Sequence, residues 1–498
     1  MHPLTPRRFV FSLMLASSVA WTQQPPAAWT TTWAASPQLY VPPLANTTVP
    51  DQYRLPETIN DQTLRQVVHV SAGGRQLRIR LSNEFGTRPV TIGAAAVAVS
   101  NGADRIKPGS SHALTFGGKS SVVIAPGAPM LSDPIAMDVA ALSDVAISLY
   151  LPEDTRPETI HVEGLQTAYL SSRGNRVTDL TLPGAATFLQ RLFLTCVEVR
   201  SPAAHTNVVK GTIVTLGDSI TDGEQSQPNA NRRWPDLLAQ RLAAASATGL
   251  RFAIANAGIS GNALVHSAVY GGAANSNPGA LARFDRDVLA LSGVSYLIVV
   301  EGVNDLDSVG MKVNGQRVDD PALAASTDDM IGAYQQLIAR AHAHGIKVIG
   351  ATIMPYEGEG IEADGSVTQE NAFTPEKEAM RQAINRWIRD GHAFDGVIDF
   401  DAVVRDPTHV SRLLPAYDSG DHIHPSARGI DAPAAGSSIG NSGRVTWRNF
   451  SRRMLGQVGP GVSANRMRWA RGPNATLKCD GDFTNTSAAS SMRRPNAE

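Results

Sequence analysis

From about Asn207 to about Arg428 the chain alternates short apolar, β-branched runs with longer stretches of helical spacing. This alternation limits the fold more than any other feature. Strand-like runs cover 212–216, 251–255, 295–300, 346–352 and 397–400, and helical patterns cover 235–246, 279–290, 326–344 and 375–389. Strands separated by helices of this length make a parallel sheet with crossover helices. Ala333, Leu337 and Ile338 keep one face of the third helix apolar, and Pro375 followed by Glu376 marks the start of the fourth. In an open parallel sheet, ligands bind in the crevice beyond the carboxyl ends of the strands.

The turns expected at that edge are polar or rich in glycine. The first strand ends in Gly217-Asp218-Ser219-Ile220, and the second in Asn256-Ala257-Gly258-Ile259-Ser260-Gly261. The third ends in Glu301-Gly302-Val303-Asn304-Asp305, and beyond the fifth comes Asp421-His422-Ile423-His424-Pro425. A serine hydroxyl becomes a nucleophile when a base takes its proton, and a histidine backed by a carboxylate does this near neutral pH. Asp421 and His424 are three residues apart, so one helical turn would put both on the same face, with Ser219 as the target of the free ring nitrogen. The same helical turn would point His422 away from His424, as a structural or substrate-facing residue. A tetrahedral oxyanion needs donors, and the backbone N–H groups of Ser219 and Gly258 with the Asn304 side chain could supply them. Gly258 would allow backbone to approach a ligand closely. Serine chemistry of this kind calls for no cofactor and no metal. A rival reading is a metal-dependent phosphoesterase that uses Asp218, Asn304, His422 and His424 as ligands, although an upstream Asp-x-His is missing.

These four blocks resemble those of the SGNH, or GDSL-type, esterases and lipases. The resemblance covers roughly residues 207–428 and implies a flavodoxin-like three-layer α/β/α domain. It also implies Ser219 as nucleophile, His424 as base, Asp421 as its orienter, and an oxyanion hole of Ser219, Gly258 and Asn304. The segment before it is similar to the β domain ahead of some secreted bacterial members, which include aryl- and acetyl-esterases. The substrate expected from this is a small ester or an acylated carbohydrate. Met354-Pro355-Tyr356-Glu357-Gly358-Glu359-Gly360, after the fourth strand, is expected to line the acyl or alcohol pocket.

The earlier region, about 29–205, has strand periodicity instead. Leu77, Ile79 and Leu81 alternate with Arg78 and Arg80, and Val145, Ile147, Leu149 and Leu151 alternate in the same way. Val68 and Val70 precede the first of these runs across Ala72-Gly73-Gly74, a hairpin signal. Many short strands between Gly, Pro and Asn clusters suggest an all-β sandwich or jelly roll. Trp33 and Tyr40 could stack on sugars, which leaves a carbohydrate-binding role for this region as a third reading, although a single aromatic near a domain edge more often fills core.

The ends of the 498-residue chain read differently again. Arg7 and Arg8, the apolar run Phe9 to Ala20 and the small residues Ser18-Val19-Ala20 look like an export signal over 1–20, too short to span a membrane. The expected organisation is therefore a signal peptide over 1–20, a β domain over 29–205, a hydrolase domain over 206–430 and a basic tail over 431–498. The tail loses apolar periodicity and collects arginines, which reads as disorder. Gly436-Ser437-Ser438-Ile439-Gly440 in it matches the nucleophile elbow of another hydrolase fold, but no strand pattern precedes it and no histidine follows 424. A formal net charge of −1 gives no global field toward nucleic acid or anionic membranes. Cys196, in the apolar run Phe193–Val197, reads as a buried inert thiol, and Cys479 is the only other cysteine.

Overall fold

Period-two alternation in the first region produces two large antiparallel sheets and two small ones in the computed structural model, which describes residues 28–42, 49–200, 209–244, 251–267, 277–317, 319–427 and 429–430. The export signal, the basic tail and Cys479 lie outside the described residues. In the first sheet, strand Gly74–Ser82 lies between Leu194–Arg200 and Ile135–Val139, with Thr30–Ala34 on the far side of Leu194–Arg200. The second sheet runs in the order Ala186–Phe188, Ala168–Arg173, Gln62–Val70, Ser143–Leu151, Ala94–Val99, His112–Ala113. Leu77, Ile79 and Leu81 from the first sheet and Leu64, Val68, Val70, Val145, Ile147 and Leu149 from the second meet in one apolar cluster. Each such side chain, fully buried, contributes about 1.5–3 kcal/mol. Trp33 and Tyr40 pack, half-buried, against this cluster.

The Ala72-Gly73-Gly74 turn does not close the expected hairpin. Gln62–Val70 pairs with Ser143–Leu151 along its whole length, while Gly74–Ser82 pairs with Leu194–Arg200, so the turn carries the chain from one sheet to the other. Both flanking strands have one apolar face, which suits neighbours in a sheet and partners across a core equally well. The decision is made by strands far along the chain.

In the second region five strands form a wholly parallel sheet: β1 (Val209–Gly217), β2 (Arg251–Gly258), β3 (Val294–Val300), β4 (Lys347–Ala351) and β5 (Gly396–Ile398), in the order β2-β1-β3-β4-β5. The order reverses at β1, which opens a crevice at the carboxyl ends of β1 and its neighbours. The connecting helices are α1 (Ser219–Asp222), α2 (Trp234–Ala244), α3 (Ala280–Phe284), α4 (Val303–Asp307), α5 (Thr327–Ala343) and α6 (Pro375–Asp390). α5 begins at a capping box: Ser326 Oγ accepts from Asp329 N, and Asp329 returns the bond to Ser326 N. α6 begins at Thr374, whose side chain accepts from Lys377 N, with Pro375 in the first turn, where its missing N–H does no harm. Each cap contributes about 1 kcal/mol. α3 is shorter than the spacing predicts, because it widens into a π-helical turn over Asp285–Leu289.

Hydrogen bonds join the two regions. Thr31 N donates to Ser292 O at 3.1 Å and Thr212 Oγ1 to Thr31 O at 3.1 Å. Ser71 Oγ accepts from Ile254 N at 2.8 Å, and its one hydrogen lies between Thr32 O at 2.7 Å and Ile254 O at 2.9 Å, so the hydroxyl links the first region to a residue in β2. Among the described residues no helix is long and apolar enough to cross a membrane.

Candidate active site

Ser219 stands at the start of α1, directly after β1. Asp218 caps that helix, its Oδ1 accepting from Ile220 N at 3.0 Å, so the Gly-Asp-Ser order is a strand stop, a cap and a first helical residue. The N–H groups of a first turn have no partner inside their helix, and Ser219 N–H is the first of them.

His424 Nε2 lies 2.8 Å from Ser219 Oγ, and His424 Nδ1 lies 2.8 Å from Asp421 Oδ2. Ser219 and His424 are both buried. The structure thus brings these three residues together, but not by a helical turn. Residues 421–424 are irregular, and His422 sits in the left-handed region at φ 68°. Asp421 does the folding itself, because its Oδ1 accepts from Ile423 N at 3.1 Å and His424 N at 2.9 Å. Pro425 adds to this by disfavouring helical backbone at His424. His422 is held apart, with its Nδ1 2.7 Å from Asp418 Oδ2.

Charge is distributed to suit a base. Burial opposes ionisation of Asp421, but its hydrogen bonds from His424 and the charge of that ring hold the carboxyl well below the usual carboxylate range. Burial likewise disfavours charge on His424, yet the bond to Asp421 and the carboxylates of Glu224, Asp421 and Asp218 outweigh it, so the imidazole titrates above its ordinary value. Burial pushes the Asp218 carboxyl up to about 7, against the pull of Ile220 N–H and His424.

Two of the three donors expected for an oxyanion, the Asn304 amide and Gly258 N–H, face other partners. Asn304 Nδ2 donates to Asn262 O at 2.9 Å, which fixes the plane of the amide. Gly302, two residues earlier, has φ 115°, a conformation that suits glycine, and an added Cβ would meet Met330, Tyr334 and Ile353 within about 3.0 Å. Gly258 N donates to Asn256 Oδ1 at 2.8 Å. Its missing side chain serves α1 and not a ligand, because a Cβ there would come within 2.3 Å of Asp222 N. Met354 to Gly360 is also engaged: Glu357 accepts from Arg412 and Ser411, and Gly358 packs under the His422 ring. This turn braces the loop that carries Asp418 and His422.

Three residues that the sequence reading passed over organise the site. Asn256 bonds Gly258 N through Oδ1 and Thr221 O through Nδ2, which ties the end of β2 to α1. Arg283 on α3 is buried and donates to Gly217 O at 3.0 Å, Ala257 O at 2.7 Å, Asn262 Oδ1 at 2.8 Å and Ser36 Oγ at 3.2 Å. Its guanidinium also pairs with Asp287 at 3.0 Å and Glu301 at 3.2 Å. One side chain thereby spaces the ends of β1, β2 and β3, which lead into Ser219, end at Gly258 and lead into Asn304. His161, from the antiparallel region, places Nε2 3.0 Å from Asp222 Oδ1 at the end of α1. The Arg283–Asp287 spacing on a helix is the only trace of this in the sequence.

The rival metal set does not assemble. His424 uses both ring nitrogens on Ser219 and Asp421, and His422 Nδ1 is taken by Asp418. Among the described residues no group of three or more His, Cys, Asp or Glu side chains converges as a metal site. Burial pushes the Cys196 thiol up to about 12, which keeps it a neutral core residue.

Residues 215–432 match the family model of the GDSL-like lipases and acylhydrolases. The protein carries a GDSL-type hydrolase domain. It is accordingly a carboxylic ester hydrolase. No curated protein matches the chain. Among solved structures, an acetylxylan esterase from Geobacillus stearothermophilus is similar at 19% identity, covering 46% of this chain and 94% of its own, with a TM-score of 0.31. A GDSL-like lipase from Bacteroides thetaiotaomicron is similar at 19% identity, covering 45% of this chain and 85% of its own, with a TM-score of 0.29. In the GDSL domain of this chain, Ser219, Asn304 and the Asp421–His424 pair all fall within the matched residues.

Proposed function

We propose that the protein is a secreted serine esterase that cleaves short-chain carboxylic esters, aryl or acetyl and including those carried on carbohydrate, through a covalent acyl-enzyme. The observation that carries this reading is the 2.8 Å approach of His424 Nε2 to Ser219 Oγ, with Asp421 on the other ring nitrogen. His424 takes the hydroxyl proton as Ser219 Oγ attacks the ester carbonyl carbon. The tetrahedral oxyanion is met by Ser219 N–H, by the Asn304 amide, and by Gly258 N–H once Asn256 shares or releases it. Collapse breaks the bond to the alcohol oxygen, which leaves with the proton held on Nε2. A water, deprotonated by the same nitrogen, then attacks the acyl carbon and frees Ser219 and the acid. Asp421 keeps Nδ1 protonated throughout, which leaves Nε2 as the base.

The same reading assigns residues 1–20 to an export signal, 29–205 to a β-sandwich or jelly-roll domain, 206–430 to a flavodoxin-like three-layer α/β/α domain and 431–498 to a basic tail. The parallel order β2-β1-β3-β4-β5 and the shared core of the two antiparallel sheets support the architectural part. Ser219→Ala is the deciding variant. It should lower turnover of a nitrophenyl acetate on the order of 10⁴-fold or more while circular dichroism and melting stay unchanged. Full activity in a folded Ser219→Ala protein would end the reading.

A further inference from the structure

Glu224 lies just past α1 and has no part in the steps above. Its backbone N–H donates to Ser219 O at 3.0 Å, so its position is fixed relative to the nucleophile. Its Oε2 stands 3.7 Å from His424 Nε2, the nitrogen that bonds Ser219 Oγ, and the side chain remains 40% exposed.

The antiparallel region supplies the groups behind it. Tyr53 OH donates to Glu163 Oε2 at 2.8 Å. Burial, with the neighbouring carboxylates of Asp222 and Glu224, pushes the Glu163 carboxyl up to about 7. The segment carrying Glu163 is fastened to the loop that follows Glu224. Asn229 N donates to Leu165 O at 2.9 Å, Thr167 N to Asn229 Oδ1 at 2.8 Å, and Arg233 Nη2 to Gly164 O at 2.5 Å. The acidic lip beside the imidazole is therefore held in place by both regions.

We infer that Glu224 forms one wall of the leaving-group subsite and selects esters by the charge of their alcohol, favouring cationic alcohols and disfavouring anionic ones. The inference rests on the Ser219–His424 reading. His424 Nε2 must hand its proton to the alcohol oxygen, so that oxygen comes within hydrogen-bond reach of Nε2. A substituent two or three bonds further out then comes near a carboxylate that is itself 3.7 Å from the same nitrogen. Unit charges about 4 Å apart shift an equilibrium several-fold in water and far more in a drier site. The exposure of Glu224 puts the expected effect near the lower end, on the order of tenfold.

Three acetate esters of matched shape test this: that of 3,3-dimethylbutanol, that of its trimethylammonium isostere, and that of an ω-carboxy alcohol of the same length. The native enzyme should show kcat/KM in the order cationic, neutral, anionic at low salt, and the spread should shrink as salt rises. Glu224→Gln should compress the cationic-to-anionic ratio roughly tenfold, and Glu224→Lys should invert the order. The neutral ester is the internal reference in each preparation, so loss of folded protein cancels from the ratios. A cationic-to-anionic ratio that is the same in native and Glu224→Gln enzyme overturns the inference. If native enzyme cleaves all three esters through Ser219 with no charge order, only the subsite fails. If Ser219→Ala cleaves the neutral ester as fast as the native enzyme, the serine reading fails with it.

Discussion

Two buried arginines show how the antiparallel region and the GDSL domain differ. Arg65, in strand Gln62–Val70, donates to Ser148 Oγ and to the backbone carbonyls of Asp104 and Asp179. It fastens surface turns to the face of a sheet. Arg283 is just as buried, but its acceptors are the backbone ends of β1 and β2 and the carboxylates of Asp287 and Glu301. Antiparallel strands distribute their turns over both ends of a sheet, so a buried cation there meets whatever loop is close. Parallel strands end together, so a buried cation behind that edge reaches the ends of several strands at once, as Arg283 does for β1, β2 and β3, although not the Asp421–His424 loop. The same kind of side chain does architectural work in one place and sets the spacing of a candidate oxyanion site in the other.

Matched substitutions in the two regions sharpen this contrast. The largest difference is expected between two His–carboxylate pairs, His424 with Asp421 and His69 with Asp144, the latter 2.6 Å apart. Asp421→Asn should lower kcat on the order of 10⁴-fold, whereas Asp144→Asn should leave turnover of the same ester unchanged. Equal losses in steady-state assays of the two variants would erase the distinction.

A smaller effect separates the arginines. Arg283→Met leaves Glu301 without its buried partner, while Asp287 keeps Arg286 at 2.6 and 2.9 Å, and the loss should cost about 3–5 kcal/mol of stability in denaturant unfolding. It should also cost roughly 10²-fold in kcat per folded molecule, as loss of an oxyanion donor does. Arg65→Met should cost about 1–3 kcal/mol for each carbonyl left without a donor and nothing in kcat per folded molecule. Active-site titration with a serine-directed phosphonate counts the folded enzyme in each case.

The pH dependence follows from the His424 shift. The base works when neutral, and its pKa lies above the ordinary 6.5. The acid limb of kcat/KM should therefore turn over above that value, falling tenfold per unit below it. For stability the sign is opposite: the raised pKa favours the folded state at low pH, and that contribution fades as pH rises through the folded value. A limb centred below 6.5 in a pH–rate profile would contradict the charge arrangement around the ring. The mildest test is Ser71→Ala, which removes the hydroxyl shared by Ile254 N and O. It should lower the melting temperature by the equivalent of about 1–2 kcal/mol and leave kcat unchanged.

The sequence was most readable where local signals coincide with the fold. The five strands of the parallel sheet and the long helices α5 and α6 show in their apolar spacing and caps, because each element there is decided by its own residues. The Ala72–Gly74 turn has the local chemistry of a hairpin but joins two sheets, because pairing in the antiparallel sheets depends on strands far along the chain. At the site, Ser219, Asn304, Asp421 and His424 are polar residues in recognisable turns. Arg283 and Asn256 bind the backbone at the strand ends, which leaves no mark in residue spacing beyond the four-residue step from Arg283 to Asp287. The Asp421–His424 geometry was expected from helical periodicity, and it comes instead from a carboxylate gripping two N–H groups next to a proline.

β2 is a margin of the parallel sheet, with β1 on one side only. A bare strand margin invites another polypeptide to add itself. Here the Ser71 hydroxyl already takes the Ile254 N–H and shares its own hydrogen between Ile254 O and Thr32 O, and Thr30–Ala34 packs alongside. The GDSL domain released from the preceding two hundred residues would present that border raw, and the seal formed by one serine is part of what keeps this sheet from growing.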